Sequence, residues 1–185
     1  LRTTLQALTI GTIVDNKIYS IRYFAEPSKF DIYLPTVQKM IDSFQVFEFV
    51  PYENLDKGLR IQYPSYWEKE EDERSSIFVS FISQKEDESD TIREHIRLQS
   101  INLPDPNMNI SQALDHYIQV QSSLPEFSLT SQMANLTIAE SRSAFGMNYT
   151  YYSTNIRLSA LTIGTIVDNK IYLIHYYAEP SKFDI

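Results

Sequence analysis

The chain has 185 residues, of which 43% are hydrophobic and 22% are charged, and its formal net charge at pH 7 is −8. This is the composition of a globular protein with enough length for a sizeable core. The acidic balance argues against nucleic acid as a partner. The lack of cysteine excludes disulfides, thiolate metal ligands and cysteine nucleophiles. No apolar run is long enough to cross a bilayer, so we expect no direct membrane insertion.

The first predicted element is a β-hairpin over 8–14 and 18–25. Both runs are rich in β-branched and aromatic residues, and Asp15-Asn16-Lys17 between them suits a tight turn. Pro27 is expected to stop the second strand, and Pro35 to open an amphipathic helix over 33–47. The inner face of this helix is predicted from apolar residues at helical spacing, namely Leu34, Val37, Met40, Ile41 and Phe44.

The rest of the chain predicts more strands and one more helix. Strands are expected over 59–63, 76–83 and 92–101, and later near 133–140, 144–153, 157–167 and 171–178. Ser111 is the expected cap of a helix over about 112–122, with Leu114, Tyr117, Ile118 and Gln121 facing inward. The predicted fold class is therefore α+β, with a mainly antiparallel sheet packed with two helices.

One segment occurs twice. Residues 7–32 recur as 160–185 with three differences in 26 positions, at a spacing of 160 − 7 = 153 residues. This period corresponds to a whole domain rather than to a solenoid unit. We therefore predict a tandem domain repeat, in which 1–50 is the C-terminal hairpin and helix of a preceding repeat. Residues 51–185 are then the following repeat without its C-terminal helix, and the helix of the first copy is expected to complete a neighbouring repeat.

The three differences follow a strand pattern. They alternate along the second strand of the hairpin, so they share one face. Because they include a serine and an arginine, this face is predicted to be solvated or an interface, and the opposite face is predicted to be the core face. The interface candidates are Ser20, Arg22 and Phe24 in the first copy and Leu173, His175 and Tyr177 in the second.

Two parts of the sequence resemble PsbP-like domains. Gly58-Leu-Arg-Ile-Gln-Tyr-Pro-Ser-Tyr-Trp67-Glu is similar to the opening strand and Pro-x-x-Trp turn of that family, and the region 18–44 is similar to its C-terminal end. The resemblance implies an α/β sandwich used for binding or assembly without catalysis. The duplication makes the chain more similar to secreted prokaryotic members, archaeal ones among them, than to the plant photosystem proteins.

The sequence nominates no catalytic, cofactor or metal residues. The acidic runs 68–73 and 86–90 are expected to be separate solvated loops at opposite ends of one strand. His95, His116 and His175 lack helical metal-site spacing and are expected to be exposed structural residues. No nucleophile elbow or phosphate-binding loop is present, so we predict that the protein is not an enzyme.

Three N-glycosylation sequons, at Asn109, Asn135 and Asn148, favour an extracellular or cell-surface location. The resulting hypothesis is a structural or adhesive repeat protein whose partners are other copies of itself. It would assemble head to tail or by segment swapping into filaments. The alternative is a binding module for a small ligand or a protein partner, which predicts an apolar pocket.

Overall fold

The computed structural model describes residues 4–14, 16–88, 90–139 and 141–183, and the chain divides into two compact units, 1–66 and 67–185. The smaller unit contains β1 (Gln6–Val14), β2 (Lys17–Ala25), α1 (Pro27–Asp42), β3 (Phe49–Asn54) and β4 (Leu59–Pro64). The larger unit contains β5 (Glu68–Glu71), β6 (Ile77–Ile82), β7 (His95–Asn102), α2 (Ile110–Gln121), β8 (Ser128–Ile138), β9 (Arg142–Ser153), β10 (Ile156–Val167), β11 (Lys170–Ala178) and a short 3-10 turn (Pro180–Lys182).

The larger unit is built on one antiparallel sheet of seven strands in the order β5-β6-β7-β11-β10-β9-β8. The hairpin β10–β11 lies inside this sheet, because β11 also pairs with β7 and β10 also pairs with β9. Helix α2 packs on one face of the sheet and forms the core with it. The buried core residues include Leu114, Tyr117, Phe145, Met147, Ile171 and Leu173. The α+β prediction with a mainly antiparallel sheet is confirmed.

Helix α2 begins two residues before the predicted position. Asn109 Oδ1 accepts a hydrogen bond from the backbone N–H of Gln112 at 3.0 Å, and Gln112 Oε1 accepts one from the backbone N–H of Asn109 at 2.9 Å. This reciprocal capping box satisfies two donors at the helix start. The predicted Ser111 cap is therefore wrong. Leu114 and Tyr117 face the sheet as predicted, and Ala113 is buried with them.

The smaller unit contains two separate two-stranded sheets, β1–β2 and β3–β4. The predicted first hairpin is confirmed. At its turn Asn16 adopts a left-handed backbone with φ 57°, whereas Asp15 lies outside the described residues. In the second hairpin Asp168 and Asn169 adopt φ values of 48° and 60°, as a type I′ turn requires.

Helix α1 begins at Pro27, and Pro35 lies inside it, so the predicted start at Pro35 is wrong. Proline is compatible with the first helical turn because its missing N–H has no partner there. The covered side of α1 is a stripe at spacings of four, three and four, made of Phe30, Leu34, Val37 and Ile41. Met40 lies beside this stripe and is exposed, so its predicted inward position is wrong, and Phe44 follows the helix and is also exposed.

The first acidic run is not a loop, because its residues 68–71 form the edge strand β5. β5 doubles back along β6, which places Glu68 opposite Ile82 and within 2.9 Å of Arg93 Nη1. The two acidic runs therefore do not lie at opposite ends of β6. In the described ranges no three carboxylate or imidazole side chains form a group that could hold a metal ion. Nor do these ranges contain a helix long and apolar enough to span a membrane.

The duplicated glycine gives a matched pair of stability variants. A Cβ at Gly164 would overlap the ring of Phe145 and lie 2.9 Å from Leu173 Cδ2, whereas a Cβ at Gly11 would meet only the Tyr19 carbonyl oxygen at 3.2 Å and Ser20 Cβ at 3.9 Å. We expect Gly164→Ala to lower the free energy of unfolding by about 1–3 kcal/mol through overpacking. Gly11→Ala is the control with a small effect. Urea denaturation of the two variants measures the difference, and equal destabilisation would contradict the packing described here.

Candidate functional site

The duplicated hairpin presents the same two faces in both units. Its register is conserved, since Thr9 pairs with Arg22 as Thr162 pairs with His175. The variable face carries the three differing positions and consists of Ala7, Thr9, Gly11, Ile13, Ile18, Ser20, Arg22 and Phe24, or Ala160, Thr162, Gly164, Ile166, Ile171, Leu173, His175 and Tyr177. The constant face consists of Leu8, Ile10, Thr12, Tyr19, Ile21 and Tyr23, or Leu161, Ile163, Thr165, Tyr172, Ile174 and Tyr176.

In the larger unit the variable face is the buried one. Leu173 is 1% exposed, His175 is 2% exposed, and both lie on the side of the sheet that packs with Tyr117 of α2. The prediction that this face is solvated is therefore wrong for the second copy. Sequence variation indicated the wrong face because the substitutions fall among core residues beneath a helix.

His175 is held in a buried polar network. Its Nδ1 lies 3.0 Å from the Thr162 hydroxyl and 3.4 Å from the Tyr117 hydroxyl, and its Nε2 lies 3.0 Å from Gln99 Oε1. These distances fit a neutral imidazole whose Nε2–H donates to Gln99 and whose Nδ1 accepts from Thr162. Burial, and then the charge of Arg97, lowers the pKa of His175 to about 4. The prediction of an exposed histidine is wrong at this position.

Arg97 lies directly opposite His175 on β7, and its guanidinium carbon is 5.6 Å from the ring centroid of Tyr177. His95 is half-buried and packs on the same Tyr177 ring at 4.9 Å. Burial, and then the charge of Arg97, lowers the pKa of His95. The variable face of the second copy thus combines apolar packing with one cation and neutral aromatic side chains.

Tyrosine side chains extend this cluster beneath α2. Burial raises the pKa values of Tyr117, Tyr149 and Tyr177, and it raises the pKa of Tyr151 to about 12. All four phenols are therefore protonated at neutral pH. A nucleophilic or general-base role would need a phenol that ionises near neutral pH. The cluster therefore acts as a polar part of the core.

In the smaller unit the variable face is bare. Ile18 is 77% exposed, whereas its counterpart Ile171 is 0% exposed, and Phe24 is 56% exposed. Ser20 and Arg22 are exposed as well. The hairpin is a two-stranded sheet in the described part of the chain, whereas β10–β11 has a further strand on each side. Within the described residues the nearly identical hairpin therefore has an exposed variable face and two free edges in the smaller unit, whereas in the larger unit its variable face is largely buried and both of its edges are paired.

The constant face carries a helix in the smaller unit. The rings of Tyr23 and Phe30 lie 4.8 Å apart, and the Tyr23 hydroxyl donates to the Phe30 carbonyl at 3.0 Å. Between the hairpin and the end of α1 lies an open groove of about 350 Å³. Its lining includes Ile10, Thr12, Tyr19, Ile21, Ile41 and Phe44. Of the predicted helix residues, Ile41 and Phe44 thus line a groove with their own hairpin, and the role of the set in completing a neighbouring repeat stays a prediction.

In the larger unit the constant face makes the same first aromatic contact with the segment that follows the hairpin. Tyr176 stacks on Phe183 at 5.5 Å, and these residues are the counterparts of Tyr23 and Phe30. Beyond this contact the constant face stays half-exposed at Leu161, Ile163 and Ile174. The second copy therefore starts the turn that in the first copy becomes α1.

An ion-pair cluster fixes this turn in the larger unit. Lys182 Nζ lies 3.1 Å from Asp90 Oδ1, 3.3 Å from Glu86 Oε2 and 3.4 Å from Glu94 Oε1. A backbone hydrogen bond from Glu86, and then Lys182, lowers the pKa of Asp90. The second acidic run therefore serves as an ion-pair partner, which sequence spacing did not reveal because the lysine is 92 residues away from Asp90.

The sequons differ in accessibility. Asn109 and Asn135 are exposed, although the Asn109 side chain also caps α2. Asn148 is half-buried in β9, and its Nδ2 donates to Ser131 Oγ at 3.1 Å. Of the three, Asn148 is thus the poorest acceptor in the folded protein.

No protein-family model matches the sequence, and a comparison with curated proteins gives no match. Solved structures do match. The solution structure of cyanobacterial PsbP (CyanoP) from Synechocystis sp. PCC 6803 has a TM-score of 0.55 at 11% identity, over 77% of this chain and 86% of that chain. LpqN of Mycobacterium tuberculosis, described as involved in cell envelope biogenesis, has a TM-score of 0.50 at 13% identity, over 79% and 86%.

A third structure, PA94 of Pseudomonas aeruginosa, a protein of unknown function described as a putative regulator, has a TM-score of 0.48 at 10% identity, over 72% of this chain and 85% of that chain. At these identities the likeness to CyanoP and LpqN concerns the fold alone. The fold is PsbP-like, so the resemblance is confirmed at that level. The secreted, archaeal and tandem-repeat character stays a prediction.

The buried histidine predicts a pH dependence of stability. The pKa of His175 falls from 6.5 in the unfolded chain to about 4 in the fold, so the unfolded state binds the proton first as pH decreases. The contribution of the neutral imidazole to the free energy of unfolding is complete above pH 6.5. It is lost as the pH falls from 6.5 to 4, and the total loss is about 3 kcal/mol. His175→Gln, which keeps a donor toward Gln99, should remove this part of the dependence of the free energy of unfolding on pH. Urea denaturation at pH 7.5, 5.5 and 4.5 measures it, and parallel pH profiles of the two proteins would contradict burial of a neutral imidazole.

Proposed function

We propose that the chain is a non-enzymatic assembly module of an extracellular or cell-surface protein built from successive PsbP-like domains. In this proposal the hairpin β1–β2 and helix α1 close one domain, and residues 51–185 belong to the next domain at the period of 153 residues. One observation carries the proposal: the nearly identical hairpin has a largely buried variable face in the larger unit and a bare one in the smaller unit.

The bare face supplies a driving force for assembly. Burying an exposed isoleucine or phenylalanine side chain stabilises an interface by about 1.5–3 kcal/mol. Ile13, Ile18 and Phe24 are all exposed on this face. The free edges of β1 and β2 add unpaired N–H and C=O groups, which favour addition of another strand. The partners we propose are neighbouring repeats and other copies of the protein, joined head to tail into filaments.

Two further observations favour a location outside the cell. Asn109 and Asn135 lie on the surface within N-glycosylation sequons. The structurally similar LpqN is described as acting in cell envelope biogenesis, which is a statement about that protein.

We expect the protein to associate reversibly as its concentration rises, and Ile18→Lys to abolish this association. The lysine places a charge on the bare face, where burial without a partner is unfavourable. Leu55→Lys is the matched control, because Leu55 is 88% exposed in the β3–β4 turn and lies off this face. Sedimentation velocity over a wide concentration range measures the self-association of the wild-type protein and of the two lysine variants. A wild-type protein that stays monomeric throughout would count against the proposal, as would equal effects of the two lysines.

The groove of about 350 Å³ favours a second candidate function, a binding module for an apolar small molecule. If this function holds, an uncharged dye such as Nile red should bind with a blue-shifted emission. Ile10→Trp should fill the groove and weaken binding at least tenfold, whereas Ile32→Trp on an exposed part of α1 should leave it unchanged. Fluorescence titration measures both, and identical affinities of the two variants would exclude the groove as the site.

A further inference from the structure

We propose that the three differing positions of the variable face select the partner of each hairpin. In this proposal, which rests on the proposed function, the free edge of β2 pairs with a strand that carries a carboxylate opposite Arg22. It does not take this chain's own β7. The selection keeps two almost identical hairpins from exchanging between neighbouring domains or chains.

The shared register shows what each hairpin would meet. In the larger unit His175 lies directly opposite Arg97, and Leu173 lies directly opposite Gln99. If β1–β2 took the place of β10–β11, Arg22 would occupy the position of His175. Two guanidinium groups would then face each other across β7 and the hairpin strand. Like charges directly opposite on neighbouring strands are destabilising.

The surroundings of this position offer no compensation. The polar groups that face His175 are the hydroxyls of Thr162 and Tyr117, the amide of Gln99 and the cation of Arg97, and the rings of Tyr117 and Tyr177 stack on it. None of them is an anion, and His175 is 2% exposed, so water screens the position little. A second arginine there would be a buried charge without a partner, which is strongly unfavourable.

The other two differences oppose exchange as well. Ser20 in place of Leu173, which is 1% exposed, would leave a cavity beneath α2. Phe24 in place of Tyr177 would remove the hydroxyl from the tyrosine cluster. All three differences lie on the variable face, and the constant face carries none. The sequence that follows the hairpin is identical in the two copies as far as residue 32 of the first, so the constant face has no need to discriminate.

The partner that fits β1–β2 follows from the same positions. It presents an aspartate or glutamate at the position that corresponds to Arg97, where a charge-assisted hydrogen bond with Arg22 forms. It also presents a larger side chain than that of Gln99 near Ser20. These requirements define a PsbP-like domain related to the larger unit but with a different central strand.

The first test is a double-mutant cycle in the full chain. His175→Arg should lower the urea midpoint of the larger unit. Arg97→Glu should raise the midpoint in the His175→Arg background but not in the wild-type background. Arg142→Glu is the control, because it makes the same charge change at an exposed end of β9. A wild-type midpoint for His175→Arg would overturn the selection rule, and so would equal rescue by Arg142→Glu. If His175→Arg does not fold, the double variant must fold.

The second test separates this inference from the proposed function. A copy of residues 51–159 is fused to the N-terminus of residues 7–185, so that the added copy can be completed by β1–β2. The added copy carries either Arg97 or the substitution Arg97→Glu. Trypsin cleavage after Arg22 reports whether β2 is covered, because the second hairpin has histidine at the corresponding position.

We expect the Arg97→Glu extension to slow this cleavage at least tenfold relative to the chain alone, and the Arg97 extension to slow it far less. Equal protection by both extensions would overturn the selection rule while leaving the assembly role intact. Cleavage at the rate of the unextended chain in both would overturn the assembly role, and the selection rule with it.

Discussion

In water, a β-hairpin with apolar residues on both faces requires partners that cover its apolar surface and its edges, because an isolated two-stranded hairpin is marginally stable at best. In the larger unit this requirement is met on the variable face and at the edges. β7 and β9 flank the hairpin β10–β11, and α2 covers Leu173 and His175. On the constant face only the contact between Tyr176 and Phe183 is made. In the smaller unit the coverage is reversed, because α1 covers the constant face and the variable face is bare. The proposed assembly follows from this reversal.

The polar part of the core explains how near-identical hairpins stay distinct. A buried imidazole is tolerated in the larger unit because Gln99 and Thr162 satisfy both of its nitrogens and because it stays neutral. Arg22 has no such option, since a guanidinium group does not lose its charge in a protein. The three differing strand positions therefore determine which sheet accepts the hairpin, with the charge at the position of Arg22 and His175 as the main difference, while the identical apolar positions provide stability without discrimination.

Much of the fold could be predicted from the sequence, because alternation of β-branched and aromatic residues marks strands directly. The two hairpins and the strands β6, β9 and β10 follow from this pattern, and the PsbP-like resemblance is confirmed as a fold. The core face of the hairpin could not be predicted. Variation between the two copies favours an exposed face, whereas His175 is a core residue with compensating partners contributed by β7 and α2. Gln99 of β7 lies 76 residues away from His175 in sequence, and Tyr117 of α2 lies 58 residues away.

The other errors have local causes. Proline suits the first turn of a helix, which favours a helix start at Pro35, but Pro27 is the proline that occupies the first turn of α1. The charged side chains of the acidic run 68–73 favour a loop, but its residues 68–71 form an edge strand, and edge strands carry such side chains as protection against aggregation. The ion pairs of Lys182 with Glu86 and Asp90 depend on a contact between distant segments, which composition does not report.

Hydrogen exchange of the two hairpins within one sample tests the central claim most directly. Peptides from 18–24 and 171–177 differ in sequence, so mass spectrometry distinguishes them although the hairpins are nearly identical. At a concentration where the chain is monomeric, amides of β2 should exchange several orders of magnitude faster than those of β11, which is paired on both sides. Equal protection of the two strands would contradict the claim that the first hairpin is an uncompleted part of a domain.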